Sequence, residues 1–160
     1  MSLKFILPIL ILLVAAIAFG CKSQKKASEP TELAATDLAE SDEVAMIFGS
    51  SGGFAGKTTR YMLYEDGRLY KGLTGDRFEA LKPLDENLAG QFYSNFKTLG
   101  FDRVDLDDPG NMTYFIIVQV GDRKKKLAWG GMNKEMPENL DTYYRNFMKT
   151  MKRHNLGVDM

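Results

Sequence analysis

The segment whose residue types come nearest to chemistry is Ser51-Gly52-Gly53-Phe54-Ala55-Gly56-Lys57-Thr58. It follows a short apolar run and departs from the phosphate-binding loop pattern by carrying Ser51 where the first glycine belongs. That chemistry requires the loop to open a helix, because the free amides of a first helical turn cradle the phosphates. Residues 59–64 read instead as a strand running into a hairpin, so no nucleotide is expected, and Asp122 reads as part of a turn rather than as a magnesium ligand. The glycines then predict a flexible or bulged connection with positive φ angles and Phe54 tucked beneath it. Asp105, Asp107 and Asp108 with Gly110 sketch a calcium loop, but Pro109 stands at its fifth position and Ile116 at its twelfth, where a carboxylate is needed. A solvated acidic turn over residues 102–111 is the ordinary reading, with a loose calcium site open beside it. His154 is the only histidine, so a Ser-His-Asp triad or a histidine metal cluster would have to be built around it. It falls at the end of a predicted helix, where a capping or solvated role is expected. No catalytic residue, metal ligand or cofactor is read; an enzyme using Asp105 or Asp107 is kept as an alternative class.

Charge narrows the partners further. Basic and acidic residues balance at 21 each, which leaves no global field to steer nucleic acid. The run Arg123-Lys124-Lys125-Lys126 lacks the interleaved aromatics that stack bases and reads as protection of an edge strand, with contact to anionic envelope lipid as a lesser reading. Trp129, before Gly130-Gly131, reads as a core ring rather than a ligand-facing one. Cys21 is the single cysteine, which excludes an intrachain disulfide, a Cys-x-x-Cys redox pair and a cysteine zinc knuckle.

The first twenty-one residues form an address. Residues 1–4 carry the positive Lys4, residues 5–19 are an unbroken apolar run of fifteen, and Gly20-Cys21 follows. Those three parts make a signal peptide. The run is shorter than the ~20 apolar residues that span a bilayer, and it meets Lys22, Lys25 and Lys26 at once. Ala18-Phe19-Gly20-Cys21 resembles the lipobox of bacterial lipoproteins, in which the cysteine is lipidated and becomes the new N-terminus. The resemblance implies membrane attachment through Cys21, and multiple acyl chains exceed what stable anchoring needs. Lys22 is not the aspartate that retains some lipoproteins at the inner membrane, so the outer membrane, facing the periplasm, is expected. Cleavage there removes only Lys4 among the charged residues and leaves 20 basic against 21 acidic side chains.

The remaining chain divides into a flexible linker, residues 21–43, rich in Lys, Ser, Glu and Asp, and a single domain over residues 44–160. The domain starts with Val44-Ala45-Met46-Ile47-Phe48, of strand length. Residues 58–64 and 69–73 flank Glu65-Asp66-Gly67-Arg68, a hairpin signal. Asp85 caps a helix reaching Leu99, whose Leu88, Phe92, Phe96 and Leu99 share a face, and Gly100 ends it. Residues 113–120 and 124–129 form a second hairpin about Gly121-Asp122. A last helix begins near Pro137 and carries Leu140, Tyr144, Phe147 and Met151 on one stripe. These elements predict an α+β domain: an antiparallel sheet of about five strands built from hairpins, with two helices on one face.

Two resemblances bear on function. The glycine-rich stretch 49–56, a Tyr-rich strand, Asp66-Gly67 and Leu69-Tyr70 are similar to a group of uncharacterised small lipoproteins of Bacteroidota-type bacteria, over residues 44–150. The core Ser51-Gly52-Gly53-Phe54-Ala55-Gly56 resembles a motif near the start of emfourin, a small α+β inhibitor of thermolysin-like metallopeptidases. The second resemblance implies that the loop around Phe54 touches a protease. The expectation is a lipid-anchored, non-enzymatic envelope lipoprotein with a protein-binding or accessory domain; the alternative is an inhibitor of a secreted or periplasmic metallopeptidase.

Overall fold

The computed structural model describes residues 32–34, 42–73 and 75–156. The leader and Cys21 lie outside the described residues, as does most of the linker. Within that linker Glu32–Ala34 is a short strand, β1, which the tether reading did not contain. The other strands are β2 (Val44–Gly52), β3 (Thr59–Tyr64), β4 (Leu69–Gly72), β5 (Arg77–Ala80), β6 (Met112–Val120) and β7 (Arg123–Trp129). Two helices interrupt and close them, α1 (Glu86–Thr98) and α2 (Leu140–Asn155). All pairings between these strands are antiparallel, in the order β1-β5-β4-β3-β2-β6-β7. The expected α+β domain is therefore the one observed. Among the described residues, no helix is long and apolar enough to cross a membrane.

The position of β2 explains its composition. It pairs with β3 on one side and β6 on the other, and both of its faces are buried, so Val44-Ala45-Met46-Ile47-Phe48 is a run rather than an alternation. Met46 and Phe48 point to the helices; Ala45 and Ile47 point to the opposite face. On the helix side, Phe48 meets Phe92 and Tyr143 and lies flat on Phe147. The helices bury Ala89, Phe92, Tyr93 and Phe96 from α1 and the expected stripe Leu140, Tyr144, Phe147 and Met151 from α2; of the stripe expected on α1, Phe92 and Phe96 are buried, Leu88 is half-buried and Leu99 is exposed beyond the end of the helix. Hydroxyls buried there find carbonyls: Tyr93 donates within 2.7 Å of Leu63, and Tyr143 within 2.8 Å of Phe92. Burial drives both phenols well above their ordinary range.

Helix boundaries follow local chemistry. The Asp85 carboxylate accepts the Leu88 amide at 3.1 Å, the expected N-cap, and Gly100 turns the chain at φ +76°. The start of α2 lies three residues beyond the predicted Pro137. Asn139 has φ +66°, a left-handed conformation that a helix cannot contain. His154 Nε2 donates to the Lys82 carbonyl at 2.8 Å, which ties the end of α2 to the segment before α1.

Candidate functional site

Three loops meet at one end of the sheet. Gly52, the last residue of β2, pairs with Met112, the first of β6, and Trp129 at the end of β7 pairs with Tyr114. The loops at 53–58, 108–111 and 130–136 thus form one rim. Val44 pairs with Val120 at the far end of the sheet, roughly 26 Å away for eight steps of extended chain. β2 therefore begins at the end of the sheet opposite the rim.

Glycines permit the loops to close on one another. A β-carbon at Gly52 would lie 2.2 Å from the Asn111 carbonyl oxygen, and one at Gly130 would lie 2.0 Å from that of Met112. Both also have left-handed φ, +104° and +137°, so each position requires glycine twice over. The Gly53 amide donates to the Asn111 carbonyl at 2.8 Å, which fixes the base of the loop. The first half of the glycine-rich stretch differs from the expected flexible connection: Gly49, Ser50, Ser51 and Gly52 are strand, paired with β6, and Gly49 and Ser50 also pair with β3. Gly49 is needed there for space, because a β-carbon would lie 2.4 Å from the Phe115 ring. The rest of the stretch is the loop, with Gly53 and Gly56 at positive φ as the composition predicts. Lys57-Thr58 then leads into β3 and not into a helix.

Phe54 corrects the expectation that it tucks beneath the loop. It projects from the tip at 110% relative exposure. A loop of glycine and alanine offers no second layer to cover a ring, and the nearest core position on this strand is already filled by Phe48. Met132 on the neighbouring loop is exposed to the same degree, 101%, and Met112 and Met136 are partly exposed. Met112 lies between the two loops, with its methyl beside Gly53 and its carbonyl against Gly130. A rim carrying one free phenylalanine and three methionines is an apolar contact surface, and methionine side chains adapt to varied partners.

The acidic turn does not gather its carboxylates. Asp105 and Asp107 are exposed while Asp108 points inward, and no group of three or more His, Cys, Asp or Glu among the described residues is placed to hold a metal ion. Asp108 accepts the Asn133 amide at 2.9 Å, the Asn133 side-chain amide at 3.0 Å and the Lys134 amide at 3.2 Å. This clasp, which no motif in the sequence announced, holds the Met132 loop in place. The Asn133 hydrogen bonds, with those of Lys134, keep the Asp108 carboxyl below its ordinary range. A depressed carboxylate stabilises the fold above the ordinary aspartate value of about 3.9 and stops doing so as pH falls through its lower folded value. Protection of the Asn133 and Lys134 amides, relative to their intrinsic exchange at each pH, is therefore expected to persist down to the ordinary aspartate value and to fall only in stronger acid. Titration of Asp108 at or above the ordinary value, followed by its carboxyl carbon shift, would remove the clasp from the account.

Arg123-Lys124-Lys125-Lys126 lies on β7, the outer strand next to β6, as edge protection requires. The other half of that edge is occupied by the chain itself, since the Asp108 amide donates to the Ala128 carbonyl at 2.9 Å and the Ala128 amide to that of Leu106 at 2.8 Å. Trp129 is buried against Tyr114 and Tyr144 with centroids at 6.0 and 5.2 Å. No protein-family model matches the chain, and no curated protein matches it at a significant level.

Proposed function

We propose that the chain is a lipid-anchored bacterial envelope lipoprotein, attached through Cys21 to the outer membrane on its periplasmic side, whose α+β domain is non-enzymatic and binds a protein partner through the Phe54 rim. The single observation that carries the binding role is a fully solvated phenylalanine on a loop whose base is fixed by close backbone packing. Holding an aromatic ring in water has no folding benefit, whereas rigid aromatic anchors dominate the energetics of protein interfaces. A photo-crosslinking phenylalanine analogue at position 54, in the lipidated chain within its own envelope, is expected to capture one protein. The same analogue at an exposed β7 position such as Lys126 is expected not to capture it; equal capture at both positions would reject the rim.

A second reading is inhibition of a secreted or periplasmic thermolysin-like metallopeptidase. It is favoured by the exposure of Phe54 in the stretch Ser51 to Gly56 that resembles emfourin. Inhibition that is lost in Phe54→Ala supports this reading, and no inhibition across a panel of such enzymes removes it.

A further inference from the structure

The face of the sheet opposite the helices is also apolar. Ala45, Ile47, Met62, Tyr64, Tyr70, Phe78 and Phe115 are buried there, although neither helix packs on this face. Two arginines supply part of the cover, Arg60 with its guanidinium 5.1 Å from the Phe78 centroid and Arg68 at 4.3 Å from that of Tyr64. Arg60 is held by Asp76 at 3.4 Å, by the Leu73 carbonyl at 3.2 Å and by the Gly75 carbonyl.

Curling of the sheet leaves a hollow of about 180 Å³ between β5 and the β6–β7 hairpin. Flat strands in this order would set β5 and β6 about 19 Å apart, yet Phe78 and Ile117 line the same hollow. Its walls are Ile47, Phe78 and Ile117, and Gln119 opens into it. Gln119 is only 2% exposed, and its Nε2 donates to the Gly121 carbonyl at 3.1 Å. Ala45, the cross-strand neighbour of Gln119 on β2, adds only a methyl, and Lys124, its neighbour on β7, stands at the mouth.

Charge at the mouth comes from three side chains. Arg60, Asp76 and Lys124 border the hollow, and an adjoining groove that shares Arg60 and Asp76 adds Lys57 and Lys71. Two cations, Arg60 and Lys124, therefore stand beside one carboxylate, Asp76, at the hollow itself. Arg60 is already engaged, while Lys124 makes no ion pair among the described residues.

We propose that this hollow binds a small amphipathic carboxylic acid, with an aromatic ring or short alkyl chain seated against Ile47, Phe78 and Ile117 and its carboxylate at Lys124 beside Arg60. A dry cavity of about 150 Å³ accepts a benzene ring, so the volume suits one ring and excludes a long acyl chain.

The test is a titration of 3-phenylpropionate into the full chain in non-ionic detergent, followed through the isotope-labelled methyls of Ile47 and Ile117. Saturable shifts confined to those methyls are expected, with Lys124→Met weakening binding about fivefold, as the loss of one partly solvated charge pair does. Ile117→Trp, which fills the hollow, is expected to abolish the shift at Ile47 while the Phe147 resonances stay in place; if that variant fails to fold, Lys124→Met still decides. Absence of a saturable shift overturns the proposal. So does equal affinity for 3-phenylpropanol, which lacks the charge, or a response only to dodecanoate above its micelle threshold, which would assign the face to a lipid surface.

Discussion

Replacing Phe54 with alanine is expected to leave the unfolding free energy within about 0.5 kcal/mol of the parent chain, the usual range for surface changes, while weakening partner binding by about 30-fold or more. The first half follows from complete exposure of the ring, which contributes no burial to lose. The second follows from the ~2 kcal/mol or more that separates an anchoring aromatic at an interface from the near-neutral contacts around it. Denaturant unfolding and the yield of the captured partner read the two quantities independently. A destabilised Phe54→Ala chain would mean that the ring packs on something in solution, and unchanged capture would place the contact surface elsewhere on the domain.

Phe147→Ala is expected to do the reverse and cost about 3–5 kcal/mol of stability. Phe147 has no exposed surface, lies parallel to Phe48 with centroids 3.5 Å apart, and meets Phe92 edge-on at 5.1 Å. The cavity left would sit between α2 and the central strand, where neither side can collapse without moving the other. A loss of that size is a large share of the ~5–15 kcal/mol that a domain has, so the midpoint of urea unfolding should fall steeply, with an unchanged slope if the native core stays compact. A cost below about 1 kcal/mol would contradict the placement of α2 on β2. These two phenylalanines lie in one chain with opposite exposures, and the pair of experiments separates folding from recognition.

What could be read from the residues was local. Asp66-Gly67 between two apolar runs marked the β3–β4 hairpin, Asp85 and the four-residue spacing of Leu88, Phe92 and Phe96 marked α1, and the stripe through Leu140, Tyr144, Phe147 and Met151 marked α2. β5 escaped notice because Arg77-Phe78-Glu79-Ala80 is four residues with one large apolar side chain, too short to show a period. β1 is shorter still and lies in polar surroundings. The placement of β6 beside β2 rests on pairing between residues far apart in the chain, such as Phe48 with Ile116, and no local pattern encodes it. Phe54 was misplaced for a related reason: an apolar residue between glycines carries no mark of whether the fold has room for it. The Asp108 clasp and the hollow under Arg60 depend on side chains from separate elements, so composition alone was silent about both. The acidic turn displays the limit, since Asp105 and Asp107 are left exposed while Asp108 is buried once the backbone is fixed.

Mass spectrometry of the N-terminal peptide from the native envelope protein tests the account most directly. The expected peptide begins at Cys21 and carries a thioether-linked diacylglycerol with a third acyl group on its amine. A peptide beginning at Met1, or a Cys21 with a free thiol, would contradict the lipid anchor and with it the compartment in which the Phe54 rim is proposed to find its partner.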